Sequence, residues 1–132
     1  ASGSVGPMGG LIIGLIAGGV CYYMVNIVKE TFNIDDSLDV FAVHGIGGLL
    51  GILLIPFLTD ENYGGVGYDE GSGFSDLMTT QVIGAVSVGL FTLVGSVILL
   101  LITRAIFGLR VSDNSQEEGL DVAEHGQSGY KL

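Results

Sequence analysis

The sequence contains a single cysteine, Cys21, and only four lysine or arginine residues among 132 positions. A lone thiol excludes an internal disulfide, and it lacks the companion ligands that a metal site would need. The scarcity of basic residues removes the positively charged surface on which nucleic-acid binding depends. We therefore expect no metal, no cofactor and no nucleic-acid partner.

Signatures of common enzymes are also missing. The sequence has neither a G-x-S-x-G nor an H-E-x-x-H motif, which would mark a serine hydrolase or a zinc protease. No long apolar run contains a second histidine that could bind a haem together with His44. The protein is therefore predicted not to be an enzyme.

Long apolar runs, by contrast, dominate the sequence. The hydrophobic fraction is 48% and the mean hydropathy is +0.65, whereas a membrane-spanning helix needs about 20 mostly apolar residues. Three segments have about that length or more, at residues 9–28, 40–58 and 77–107. They predict an all-α, polytopic transmembrane bundle with helices at about 7–28, 38–58 and 77–107, in a membrane region covering residues 1–108.

Turn-forming and polar residues indicate where the helices begin and where loops lie. Pro7 suits the first turn of a helix, where its missing N–H is not needed. Asp36 or Ser37 could cap the second helix, and the carboxylates of Asp36 and Asp39 would interact favourably with the positive end of its dipole. Residues 59–76 mix glycines with acids and predict an exposed, poorly ordered loop.

Small residues form stripes along the predicted helices, and such stripes let helix backbones approach closely. The stripes comprise Gly10, Gly14, Ala17 and Gly18 on the first helix, Gly47, Gly48 and Gly51 on the second, and Gln81, Ala85, Gly89, Thr92, Ser96 and Thr103 on the third. We interpret these faces as helix-packing surfaces.

The few basic residues predict the orientation of the chain. Lys29 follows the first span and Arg104 and Arg110 flank the end of the third, whereas the linker at residues 59–76 has no lysine or arginine. Because basic residues favour the cytoplasmic side, the tail at residues 109–132 is predicted to be cytoplasmic. Its acids, glycines and serines alone are typical of disorder.

His44 is the only ionisable residue in the second apolar run. It would lie about 12 Å along the axis from Asp36 if the intervening residues were helical, on the face of the following glycines. An ionisable group at membrane depth is a candidate functional residue, and a neutral imidazole, the expected form, can hold a small polar molecule or relay a proton. The alternative is a histidine that only hydrogen-bonds a neighbouring helix.

Three segments resemble, in order, the C-terminal part of the ammonium transporter family. They are GPMGGLIIGLIAGGVCYYMV, DDSLDVFAVHGIGGLLG and GLRVSDNSQEEGLDVAEHGQSGY, and they extend over nearly the whole chain. The most specific part is residues 35–48, where acids, an aromatic residue, a histidine and glycines fall at the family's spacing. The tail is similar to the ammonium transporter branch rather than to the Rhesus-type branch.

The resemblance implies that the chain is a fragment containing the last three spans of a longer, multi-pass plasma-membrane protein. Members of the family assemble as homotrimers, and each subunit conducts ammonium or ammonia through its own pore. By resemblance, His44 matches one of two pore histidines that contact the permeating nitrogen. Asp36 matches an acid near the inner end of the same helix, for which we expect a structural role.

The resemblance also implies a regulatory role for the tail. In relatives the tail packs beneath a neighbouring subunit and influences transport, and a PII-type signal protein can block the inner pore mouth. The tail residues concerned here are Gly119, Leu120, Asp121, His125, Gly126 and Tyr130. An alternative for the whole chain is a non-transporting membrane scaffold or assembly subunit that holds partners through its glycine faces.

Overall fold

The computed structural model describes residue 1 and residues 3–130, which form helices, turns and irregular segments. Helix α1, Pro7–Asn26, continues as a wider π-helical turn, Ile27–Thr31. A second π-helical turn, Phe41–Ile46, leads into α2, Gly47–Leu58. The longest helix is α3, Phe74–Ile106.

Shorter helices follow α2 and α3. A single 3₁₀ turn, Glu61–Tyr63, lies in the loop between them. The tail after α3 contains α4, Asp113–Glu118, and α5, Leu120–Ala123.

Three helical segments are long and apolar enough to cross a membrane, namely Pro7–Thr31, Phe41–Leu58 and Phe74–Ile106, with 25, 18 and 33 residues. At about 1.5 Å per residue, the second is about 27 Å long and the third about 50 Å, against a hydrocarbon core of about 30 Å. The prediction of an all-α fold with three spanning helices is confirmed. The third helix must tilt or extend beyond the hydrocarbon.

The second helix begins later than the predicted residue 38. Asp39 has a φ of 57°, a left-handed conformation that an α-helix of L-residues does not contain. Helical geometry therefore starts only at Val40, immediately before the π-helical turn. His44 consequently lies about one turn inside the helix, closer to its start than an uninterrupted helix from Asp36 would place it.

The other two spanning helices also differ from their predicted ends. The first helix runs to Thr31 rather than residue 28, because its π-helical turn continues the chain past α1. The third begins at Phe74 rather than residue 77, because the Asp76 carboxylate accepts the Gly73 N–H at 3.0 Å. Such a contact satisfies one backbone donor at the start of a helix.

The first two spanning segments pack against each other as an antiparallel pair. Near one end, a methyl group placed on Gly9 would lie 3.4 Å from Cβ of Leu58. Near the other end, Val28 and Ala42 are buried, at 1% and 0% exposure. These contacts fix the relative register of α1 and the segment that contains His44.

The loop after α2 is more ordered than its composition predicts. Thr59 is only 1% exposed, and its carbonyl accepts the Gly67 N–H at 2.7 Å. Its hydroxyl lies 3.0 Å from the Ser4 carbonyl oxygen and 3.3 Å from that of Gly67. In addition, the Tyr68 hydroxyl donates to the Pro56 carbonyl at 2.8 Å. The expectation of a poorly ordered loop is therefore wrong, because these hydrogen bonds tie the loop to α2 and to the N-terminal turn.

Two glycines make this loop structure sterically feasible. A methyl group at Gly65 would lie 2.1 Å from the Thr59 carbonyl oxygen, and one at Gly6 would lie 2.2 Å from the Gly64 carbonyl oxygen. Both collisions involve backbone atoms, which cannot move aside by a change of rotamer. Only glycine fits at these two positions without displacing the loop.

The chain divides into two compact units after Gly89. The second unit, as far as Tyr130, comprises the C-terminal part of α3 with α4 and α5. Ser112 caps α4, because its hydroxyl accepts the Ser115 N–H at 3.1 Å. The tail thus contains short helices where composition alone is typical of disorder. Residues 131–132, the end of the predicted tail, lie outside the described residues.

We predict that Gly65→Ala will destabilise the protein by roughly 1–3 kcal/mol, the usual cost of inserting a group into a filled space. Gly73→Ala is the matched control, because the same loop leaves that position open except for one Asp76 carboxylate oxygen at 3.9 Å. Thermal unfolding of the purified protein in detergent measures both. Equal midpoints for the two variants would contradict the close packing at Thr59.

Candidate functional site

The candidate site lies where the connector at residues 32–40 meets the second spanning helix. Asp36 holds the start of that helix through both carboxylate oxygens. One oxygen accepts the Val40 N–H at 2.9 Å, and the other accepts the Phe41 N–H at 2.8 Å. Because the first N–H groups of a helix have no partner within it, this carboxylate satisfies two donors at once. Ser37, the other predicted cap, instead points its hydroxyl at Asp35 at 3.4 Å.

Asp39 forms an ion pair with the end of the first helix. The Lys29 ammonium nitrogen lies 2.6 Å from Asp39 Oδ1. That oxygen has almost no accessible surface and no hydrogen-bond partner among the described residues, so the contact is an ion pair rather than a directed hydrogen bond. The Asp39 carbonyl accepts the Val43 N–H at 2.9 Å. Asp39 therefore links the two helices while its backbone starts the second one.

His44 lies in the middle of the π-helical turn Phe41–Ile46. A π-helical turn is uncommon and occurs frequently at functional sites. The imidazole is exposed in this chain, and it lines an open groove of about 390 Å³ together with Ile34, Asp35, Asp36, Val40, Phe41 and Gly45. The groove is mostly apolar, and the carboxylates lie at the connector end of its lining. None of residues 1 and 3–130 encloses the ring, so the prediction that it points into protein stays a prediction.

The six glycines predicted to pack helices behave differently from one another. A methyl group at Gly47 would lie 3.0 Å from the Cys21 sulfur, so α1 approaches the second helix closely there. Gly51 is buried, although no described residue outside its own stretch of helix places an atom within 4 Å of the position of a methyl group. The remaining four have open space at that position within the chain: Gly10, Gly14, Gly18 and Gly48. Gly9, next to the predicted stripe, makes the contact with α2.

The tail residues belong to the second unit and are described separately from His44. Gly119 and Gly126 have positive φ angles of 96° and 62°, which glycine adopts without strain. Gly119 separates α4 from α5, and the Gly126 N–H returns to the Val122 carbonyl at 3.0 Å after α5. Leu120 and Tyr130 are exposed, at 47% and 87%. Asp121 and His125 are likewise exposed, so the tail offers both apolar and charged groups at its surface.

The sequence alone does not reveal two contacts near His44. Lys29 indicates only topology and Cys21 is a lone thiol, yet Lys29 pairs with Asp39 just before the second helix and Cys21 lies against Gly47 within it. A run of small residues does not indicate which glycine contacts the neighbouring helix. An acid following a lysine by ten positions is equally uninformative until the turn between them is known. Within residues 1 and 3–130, no group of three or more His, Cys, Asp or Glu residues is arranged to hold a metal ion.

Comparison with known proteins agrees with the family resemblance of the sequence. The sequence profile described as the Ammonium Transporter Family matches residues 1–130. An ammonium transporter of Aquifex aeolicus is 38% identical over 133 aligned positions, which cover 100% of this chain and 31% of the relative. A putative ammonium transporter of Methanothermobacter thermautotrophicus is 35% identical, with 100% and 33% coverage. The chain thus spans about a third of the length of these relatives.

We predict that Asp36→Ala will lower stability by roughly 1–2 kcal/mol, the upper part of the range for loss of a helix cap, because two backbone N–H groups lose their acceptor. Asp35→Ala should have little effect, since Asp35 receives only the 3.4 Å contact from Ser37. Thermal unfolding in detergent compares the two variants. A similar midpoint for both would show that the Asp36 cap contributes nothing.

Proposed function

Since the chain belongs to the Ammonium Transporter Family, we propose that it forms the C-terminal part of a pore-forming subunit that carries ammonium or ammonia across a membrane. The three spanning helices fit a multi-pass membrane protein. The chain is then a transporter segment rather than an enzyme. The single observation on which it depends is the position of His44, one turn inside the second spanning helix and at a mostly apolar groove.

The length of the second helix indicates where His44 lies relative to the hydrocarbon core. Its 18 residues span about 27 Å at about 1.5 Å per residue, slightly less than the hydrocarbon core of about 30 Å. The connector before it contains irregular backbone, which is tolerated near membrane depth only against protein or water. We therefore assign the connector to the wall of a water-filled inner vestibule. His44 then lies where the vestibule gives way to the apolar path.

A neutral imidazole suits that boundary. Moving a charged group to the centre of a bilayer costs at least about 2.5 kcal/mol, so ammonium is expected to leave a proton behind before it crosses. Ammonia can then accept a hydrogen bond from one ring nitrogen or donate one to the other. His44 would compensate the ammonia for lost hydration without placing a fixed charge in the path. The same ring can accept and return a proton.

Further parts of the proposal concern assembly and orientation. We assign the protein to the plasma membrane, as a homotrimer with the tail in the cytoplasm. Lys29, Arg104 and Arg110 fall on the cytoplasmic side in this orientation. The tail residues around α5, with exposed Leu120 and Tyr130, would contact a neighbouring subunit and regulate transport. A PII-type signal protein would bind at the same face, near the inner pore mouth.

We predict that His44→Ala will reduce ammonium transport by roughly tenfold or more, since loss of one stabilising hydrogen bond of about 1.5 kcal/mol corresponds to about a tenfold rate change. The assay is ammonium-driven flux into proteoliposomes that contain the full-length protein carrying this segment. His44→Gln, which keeps a neutral donor and acceptor, should retain more flux than His44→Ala.

Val43→Ala is the control for altered packing, because Val43 precedes His44 in the same turn and is 44% exposed. It should transport at nearly the unsubstituted rate. Unchanged flux in His44→Ala, with normal assembly by size-exclusion chromatography, would refute the pore role. That result would favour a scaffold or assembly subunit instead.

A further inference from the structure

Two contacts between the first and second spanning segments bracket the turn that carries His44. On one side Lys29 pairs with Asp39, and on the other Cys21 lies against Gly47. We propose that these four residues position His44 by fixing the depth and rotation of its π-helical turn. The inference rests on the proposed function, because the direction of that imidazole matters only if the imidazole lines the pore.

The spacing of the contacts matches on the two helices. Eight positions separate Cys21 from Lys29 in the first spanning segment, and eight separate Asp39, just before the second helix, from Gly47 within it. The π-helical turn Phe41–Ile46 lies entirely between the two contacts on its own helix. In an antiparallel pair, two contacts at matched spacing remove both sliding and rotation. The segment between them is then held at both ends against α1.

A π-helical turn needs such support. Its wider ring is an uncommon arrangement that appears as single turns within longer helices, and uncommon backbone conformations persist where the surroundings determine them. Ala42, within this turn, is fully buried, so one side of the turn packs against protein. The other side, with His44, is exposed. The buried contacts therefore determine the direction in which the exposed imidazole points.

Cys21 and Gly47 set the approach of the helices at the far end. The Cys21 sulfur lies 3.0 Å from the position that a methyl group on Gly47 would occupy. An alanine there would require the helices to separate or the sulfur to move. Conversely, removing the sulfur would open the space that the alanine needs. Cys21→Ala is therefore expected to compensate for Gly47→Ala.

Lys29 and Asp39 set the register at the near end. Exposed ion pairs contribute little to stability, and these two side chains are 39% and 32% exposed. Their contribution is therefore geometric: the ion pair holds Asp39, whose carbonyl accepts the Val43 N–H just before His44. Asp39→Asn tests the charge alone, because asparagine tolerates the left-handed conformation at this position.

The first test is a double-substitution cycle in the full-length protein in proteoliposomes, with ammonium and methylammonium as substrates. Gly47→Ala should lower ammonium flux severalfold and change the flux ratio of the two substrates, because the sulfur at 3.0 Å must shift by a few tenths of an ångström and a displacement of about 1 Å can cost on the order of a hundredfold. Cys21→Ala should lower the flux less than Gly47→Ala does, because it removes a contact without creating a collision. The combination of both substitutions should restore most of the flux and the original ratio.

The inference is overturned if Gly47→Ala transports normally, or if the double variant assembles correctly but stays as impaired as Gly47→Ala. Asp39→Asn provides an independent arm for the case in which Gly47→Ala fails to assemble. It should change the substrate ratio at an unchanged unfolding midpoint, and Lys29→Arg should not. An unaltered ratio in Asp39→Asn would overturn the positioning role of the ion pair.

Hydrogen exchange separates this inference from the proposed function. If His44→Ala transported normally, the pore role would fail. Amide exchange at residues 41–47 would still show whether the Lys29–Asp39 and Cys21–Gly47 contacts hold the turn. Faster exchange in Gly47→Ala that returns to the original rate in the double variant would support positioning of the turn. Unchanged exchange in Gly47→Ala would overturn it.

Discussion

The arrangement around His44 depends on how the first backbone N–H groups of the second spanning helix are satisfied. Near a membrane interior, each unpaired backbone group is costly, yet left-handed Asp39 prevents the helix from starting earlier. The Asp36 carboxylate resolves this by accepting the Val40 and Phe41 N–H groups, and the Asp39 carbonyl accepts that of Val43. The helix can therefore begin abruptly, and His44 occupies its first complete turn.

Composition and hydropathy were sufficient to predict the three spans, because the requirement for apolar length is local to each segment. They could not predict where the second helix begins. Asp39 is not glycine, so nothing in its identity marks a positive φ. The π-helical turns also leave no periodic signal over five or six residues. The second of these turns packs against α1, which the connector separates from it in sequence.

The loop after α2 illustrates the same limit. Its glycines and acids predict disorder when they are read as composition, but Gly65 in the loop and Gly6 before α1 allow close backbone approach. Gly6 meets Gly64, and Gly65 meets Thr59. The first of these pairs joins positions more than fifty residues apart, so the steric reason for a glycine at residue 6 exists only after the helices have assembled. His44 could be identified from sequence because its reason is local: an ionisable side chain within an apolar run.

The open surfaces of the chain can be divided by the physics of helix association in lipid. Large aliphatic side chains gain little by leaving lipid for protein, because acyl chains solvate them equally well, whereas a glycine stripe gains contacts only when another backbone approaches. The stripe at Gly10, Gly14 and Gly18 has open space beside it in this chain, while α3 exposes leucine, isoleucine and valine along its whole length. It follows that the stripe on α1 is the face on which a further helix would be most stabilising. The aliphatic surface of α3 can face lipid without a penalty, so its exposure does not by itself require a protein partner.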